Sequence, residues 1–274
     1  MSDPRHIAEN EHLIFPLGGE ADRITEKEER SLVREHFEIH QTAVTIISER
    51  EYVKTAKDAV FDARSQIESK ISADPYFGTT YEPYRASHDD GIVVRRMCDA
   101  SLAANVGPMA AVAGAIAEYA VKKMSAAGAV YAIVDNGGDI AMISDRYVII
   151  GMYADVKGHR LSLKVPPTDR ILGICSSSAS VGPSVSFGRS DISTVISNDV
   201  SLADACATRL GNMIKSEDDM TGPLEHICSV EGVIGCLAYC NEMLAVCGDV
   251  PDLVSSENSD HMITKLLLRP NGTE

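Results

Sequence analysis

The chain has 274 residues, 45% of them hydrophobic and 24% charged, with a formal net charge of −15. That apolar share supports a buried core and excludes disorder over most of the length, while the acidic balance argues against nucleic acid and anionic membranes as partners. Seven cysteines at irregular spacings fit reduced thiols in a cytoplasm better than a disulfide framework.

In chain order, residues 1–30 are polar and Glu-rich and read as a poorly ordered N-terminal arm, or as a first strand that docks only in the assembled fold. They hold no apolar stretch of the secretory-signal kind. Residues 35–48 suit two short strands, with Phe37 and Ile39 alternating, then Val44 and Ile46. An amphipathic helix over about 50–71 is marked by Val53, Ala56, Val60, Ala63, Ile67 and Ile71 at three- and four-residue steps. The stretch ADPYFGTTYEPYRASHDDG is a long loop.

From Ile92 to Gly128 the pattern is helical in two pieces, broken at Gly107-Pro108. The second piece, MAAVAGAIAEYAVKKM, is built of small residues on several faces and predicts close packing on more than one side. The most apolar stretch, residues 106–117, stops at Glu118, far short of the ~20 residues that a membrane span needs. Strands are expected near 129–134, 139–144, 147–154, 160–165, 171–175 and 192–197, a helix at about 202–214, and strands near 233–240, 243–248 and 262–268. Helices first, then a block of strands with one helix embedded, is an α+β order. The expectation is a single two-layer domain over 31–274 behind the arm.

Three constellations carry possible chemistry. In YAIVDNGGDIAMI, residues 131–143, two apolar runs close on Gly137 and Gly138 with Asp139 beside them. Asn136-Gly137 is a strong hairpin signal, and the same bare backbone also suits a ligand wall. In SLADACATRLGN, residues 201–212, Asp204 and Thr208 share a helix face. Those hard oxygens suit Mg²⁺, whereas Ser201 with Asp204 also fits a capping box. The serine-rich CSSSASVGPSVSFGRSD, residues 175–191, is either an anion cradle, with Ser177 and Ser178 at its start, or a plain polar loop. Among the thiols, a two-residue turn at Asn241-Glu242 would set Cys236 opposite Cys247, on one face with Cys240. Such a face is a core, a redox pair or a soft-metal site. Cys206 points away from the Asp204–Thr208 face and reads as core.

Taken in order, VGPMAAVAGAIAEYAVKKMSAAG, AIVDNGGDIAM and SLADACATRLGN resemble the flavin-transferase superfamily, the ApbE-like FAD:protein FMN transferases, over about residues 92–215. VGPMAAVAGAIAE, SVGPSVSFGRSD and LADACAT are closer still to an uncharacterised ApbE-like branch of strict anaerobes. The superfamily resemblance implies the ApbE fold, with FAD or another nucleotide and Mg²⁺ as cofactors. It implies Asp204 and Thr208 as metal ligands, aided by the backbone carbonyl near Val112, and Gly137, Gly138 and Asp139 lining the nucleotide site. Two departures stand out. Val112-Ala113-Gly114 replaces the transferases' Ala-Lys-Gly, and VGPSVSFGRSD stands where they carry a His and an Asp-Pro-x-Thr-Gly segment. A pocket lacking the lysine and the positioned base can bind a ligand without moving FMN onto a protein.

The branch resemblance implies a role in sulfide assimilation and homocysteine formation. Such a role would need an ionisable thiol, for which Cys98, ahead of the small-residue helix, is the candidate catalytic residue. A divergent Mg²⁺-dependent flavin transferase and a non-catalytic nucleotide- or metabolite-binding module are the alternatives. The partners this reading admits are a small-molecule or nucleotide ligand, other sulfur-assimilation proteins and further copies of the chain.

Overall fold

The computed structural model describes residues 14–16, 31–156, 159–177 and 190–256. The first strand, β1 (Ile14–Pro16), lies within the arm and pairs with β6. Strands β2 (Leu32–Ile39) and β3 (Thr42–Glu49) form an antiparallel pair, and α1 (Arg50–Ala73) follows directly. Val53, Ala56, Val60, Ala63 and Ile67 of the expected stripe are buried, and Ile71 is half-buried. The two-piece helix is α2 (Ile92–Ala104) and α3 (Val112–Ala126), joined by a short 3₁₀ turn over Pro108–Ala111.

The strand block comprises β4 (Ala132–Asn136), β5 (Asp139–Ser144), β6 (Val148–Val156), β7 (His159–Val165), β8 (Thr168–Ser177) and β9 (Ile192–Ser197). Then come α4 (Val200–Met213), α5 (Thr221–Cys228), β10 (Val233–Cys240), β11 (Met243–Gly248) and β12 (Asp252–Ser256). Two of these, α5 and β12, have no counterpart in the sequence-based expectation. The strand expected near 262–268 lies outside the described residues.

Among the described residues all the strand pairings are antiparallel. Eight strands form the main sheet in the order β11-β10-β9-β8-β5-β4-β3-β2, and four form a smaller one, β1-β6-β7-β12. The main sheet is covered on both faces. Along its strands side chains alternate between two cores: Ala132, Val134, Ala141, Cys175, Val195, Cys236 and Ala238 face the helices, and Ile133, Ile140, Met142, Ile174, Ile196, Leu237 and Tyr239 face β6 and β7. The α+β order and the helix-on-sheet pair hold, and the small sheet adds a third layer that a two-layer expectation omits. The division of labour is one of size. Several helix-facing positions are Ala or Cys, which lets α3 and α4 settle close to the sheet. At Gly173 a Cβ would come within 2.8 Å of the Val200 Cα.

No single helix among the described residues is long and apolar enough to cross a membrane. The segments Ile92–Ala104 and Pro108–Ala126 reach that length only together, across a 107° bend.

Candidate functional site

The site begins at the β4–β5 hairpin. Asn136 pairs with Asp139, leaving Gly137 and Gly138 as a two-residue turn at φ 67° and 108°, the left-handed conformations that glycine adopts without strain. The Gly138 amide donates to Asp135 Oδ1 at 3.0 Å, and nothing lies within 4 Å of where a Gly137 side chain would begin. The tip is therefore a turn with one open glycine face, so the two readings of this stretch are compatible.

Strand parity turns Asn136 and Asp139 toward the helices. Asn136 Nδ2 donates to the Ala113 carbonyl at 3.1 Å, tying the hairpin to the start of α3. One residue on, the Gly114 amide donates to Asp204 Oδ2 at 2.8 Å. The start of α3 thus bridges the hairpin and α4. Gly114 is required there: a Cβ would stand 2.7 Å from both the Asp204 Cβ and the Val200 carbonyl oxygen.

Asp204 is 7% exposed and does not cap its helix. The N-cap of α4 is Asp199, whose side chain accepts from the Leu202 amide at 3.1 Å, which corrects the Ser201–Asp204 capping-box reading. Ser201 is instead bound to Glu118 of α3, donating from its Oγ at 2.8 Å and its amide at 3.3 Å. Thr208 lies half-buried one turn beyond Asp204 on the same helix, and half-buried Val112 opens α3.

The electrostatics centre on two carboxylates. Burial raises Asp139 well above the ordinary carboxylate range, and the neighbouring Asp204 and Asp135 push it further. The Cys175 thiol and the Ser176 amide pull the other way. Its Oδ1 is fully shielded and has no hydrogen-bond partner. Burial pushes Asp204 up to about 7, against the lowering effect of the Gly114 and Ala113 amides. Neighbouring carboxylates in a partly buried site oppose each other's ionisation, and a cation would relieve that opposition.

Cys175 belongs to this cluster although the sequence-based reading passes over it. It is the strand partner of Asp139, and its Sγ donates to the Val200 carbonyl at 3.6 Å. Burial first, and then Asp139 and Asp204, hold its thiol well above the usual value. The β5–β8 register that creates this contact carries no local sequence signal. Glu118 is the other unpredicted member. It is buried and bound by Arg96 at 2.8 Å, by Lys122 and by Ser201.

The remaining candidates separate. Ser177 ends β8 opposite Ser193, with its Oγ 3.5 Å from where a Gly211 side chain would begin. Ser178 and most of the serine-rich segment lie outside the described residues. Cys98 is fully buried in α2. Burial, with a smaller push from Asp90, raises its thiol to about 12, the setting of a core thiol rather than of the accessible, ionisable one that a sulfur role would need. Cys206 is likewise buried, its thiol raised to about 12 by burial and by Asp199. The Cys236–Cys247 pairing stands in the expected register. Asn241 and Glu242 make the turn by adopting positive φ, 47° and 68°. Among the described residues, no group of three or more His, Cys, Asp or Glu side chains is arranged to hold a metal ion.

The fold, an antiparallel sheet under helices, is shared with solved flavin transferases. The flavin transferase ApbE from Vibrio cholerae superposes with a TM-score of 0.54 at 12% identity, covering 79% of this chain and 96% of that one. The apo form of Pseudomonas stutzeri flavinyl transferase ApbE gives 0.55 at 10% identity, covering 86% and 98%. The chain itself belongs to the family described as AbpE bacteria, whose model matches residues 23–222. Its relatives include UPF0280 proteins of Methanocella arvoryzae, 46% identical over 84% of this chain and 94% of the relative, and of Archaeoglobus fulgidus, 46% identical over 84% and 97%. Another, from Methanosarcina barkeri, is 39% identical over 97% of this chain and the whole of the relative.

Proposed function

We propose that this protein acts in cytoplasmic sulfide assimilation, in the trafficking of sulfur towards homocysteine, through a cleft derived from a flavin-nucleotide site. The observation that carries the cleft is the pair of half-buried Asp139 and buried Asp204 beside the open backbone of Gly137. The donor chemistry suits Mg²⁺, which is commonly held by one or two carboxylates together with a nucleotide's phosphates rather than by a full protein cage. Asp139 and Asp204 would supply the carboxylates, with the Thr208 hydroxyl and the backbone near Val112 beside them, and FAD or a related nucleotide would complete the shell. Held by Asp139 and Asp204, a cation would offset the charge of the pair and supply positive charge for phosphate oxygens. Gly137 and Gly138 leave room for a flat dinucleotide, and Asn136 keeps the tip fixed on α3.

The sulfur role rests on the branch resemblance in VGPMAAVAGAIAE, SVGPSVSFGRSD and LADACAT. With Cys98 buried, the proposal has the cleft rather than that thiol do the work. The test is a strain lacking the gene, grown on limiting sulfide as sole sulfur source. Growth restored by homocysteine supports the role, and growth equal to the parent without it refutes the role.

A second reading, a divergent Mg²⁺-dependent FAD:protein FMN transferase, is favoured by the positions of Asp204 and Thr208. Incubation with FAD, Mg²⁺ and an acceptor protein separates the two, because only a transferase releases AMP. A non-catalytic nucleotide- or metabolite-binding module would show saturable binding with no product.

A further inference from the structure

Outside the candidate site, three thiols meet where α5 docks on the β10–β11 hairpin. Cys228 ends α5, and its Sγ lies 3.6 Å from that of Cys236 on β10. Cys247 on edge strand β11 is directly opposite Cys236, and the neighbouring Cys228 and burial raise its thiol. Cys236 is buried, whereas Cys228 and Cys247 are half-buried. The room for Cys228 is specified by Gly248, at φ 77°, where a Cβ would come within 3.1 Å of the Cys228 sulfur. Among the described residues no such cluster is arranged for a metal ion.

We propose that Cys228 and Cys236 form a reversible intramolecular disulfide when the protein meets a small, low-molecular-weight disulfide. The half-buried Cys228 thiolate attacks one sulfur of the disulfide RSSR. A protein–SR mixed disulfide forms, the RSSR bond breaks, and RS⁻ leaves to take up the Cys228 proton. Cys236 then attacks the Cys228 sulfur, the bond to R breaks, and a second RS⁻ departs with the Cys236 proton. Two protein thiols are oxidised and one RSSR is reduced to two RSH. The new bond ties the last turn of α5 to β10, with Cys247 remaining a thiol. This exchange depends on thiolate formation, and burial holds the Cys236 thiol high, so the reaction accelerates as pH rises.

The test treats the folded, full-length protein with oxidised glutathione, traps free thiols, and maps the peptides without reduction. The expected result is loss of two of the seven thiols, recovery of a Cys228–Cys236 linked peptide, and return to seven with dithiothreitol. Cys247→Ser should lose the same two thiols. Cys228→Ser, at a half-buried position that keeps the Cys236 core packing, should lose none to an internal bond. Seven thiols still free, a stable glutathione adduct alone, or a bond that includes Cys247 would each overturn the proposal.

Discussion

At residue scale, Gly114 and Asp204 decide whether the site exists. The Gly114 amide is an orphan donor at the start of α3, and Asp204 is its acceptor. Asp204→Ala removes the acceptor and should cost about 1–3 kcal/mol, visible as a lowered Tm. Asp204→Asn retains an oxygen acceptor while removing a buried charge, so without divalent cations its Tm should equal or exceed that of the parent. It should also lose any Mg²⁺-dependent rise in Tm. A stability cost shared equally by both variants would mean that the charge, not the acceptor, holds α3 in place. Gly114→Ala drives a Cβ against the Val200 carbonyl, which is backbone and cannot rotate aside. Overpacking of this kind costs about 1–3 kcal/mol, and thermal denaturation checks it.

At element scale, α3 and α4 hold each other by exchange. Asp204 of α4 receives the amide at the start of α3, and Glu118 of α3 receives the amide and hydroxyl of Ser201 at the start of α4. Each carboxylate sits where the partner helix's dipole is positive. Arg96 extends the clamp to α2 by reaching both Glu118 and Asp199, at 2.8 and 2.9 Å. Burial alone would raise Glu118, but Lys122, Arg96 and Ser201 outweigh it and hold the carboxyl below its usual 4.5. A depressed folded-state value stabilises the fold above the unfolded value, and that contribution is lost as pH falls through the depressed one. Glu118→Gln should therefore be destabilised by roughly 2 kcal/mol at neutral pH. Denaturant titrations should show the gap to the parent narrowing as pH is lowered below 4.5. A gap independent of pH would show that Glu118 acts through shape alone.

The elements legible in the sequence are those whose own periodicity or turn chemistry fixes them. The α1 stripe, the Gly107-Pro108 break and the Asn136-Gly137 hairpin are set by neighbours within a few residues. By contrast, α5 is only eight residues long and carries a proline and a glycine, so its pattern resembles a loop. Within the site, Asp204 stands out because it shares a helical face with Thr208. Its separation from the cap at Asp199 needs the true helix start at Val200, four residues earlier, and helix boundaries shift easily by a residue or two. Cys175 and Glu118 join the cluster through strand register and helix crossing, which are long-range consequences of packing and leave no local mark.

For the whole molecule, three layers explain why a polar cluster can be so well shielded. The main sheet is buried on both faces, so the carboxylate of Asp139, at a strand end beneath α4, is half-buried, with its Oδ1 fully shielded. Such a site is a strained store of charge, stabilised whenever a cation enters. Ligand binding should therefore raise Tm, by an amount that grows with the logarithm of ligand concentration above Kd. The most direct measurement is calorimetric titration of the anaerobically purified protein with FAD in the presence and absence of Mg²⁺. The account predicts saturable binding that requires Mg²⁺ and disappears in the folded Asp204→Asn variant. Absence of binding under both conditions, or undiminished binding by that variant, would contradict it.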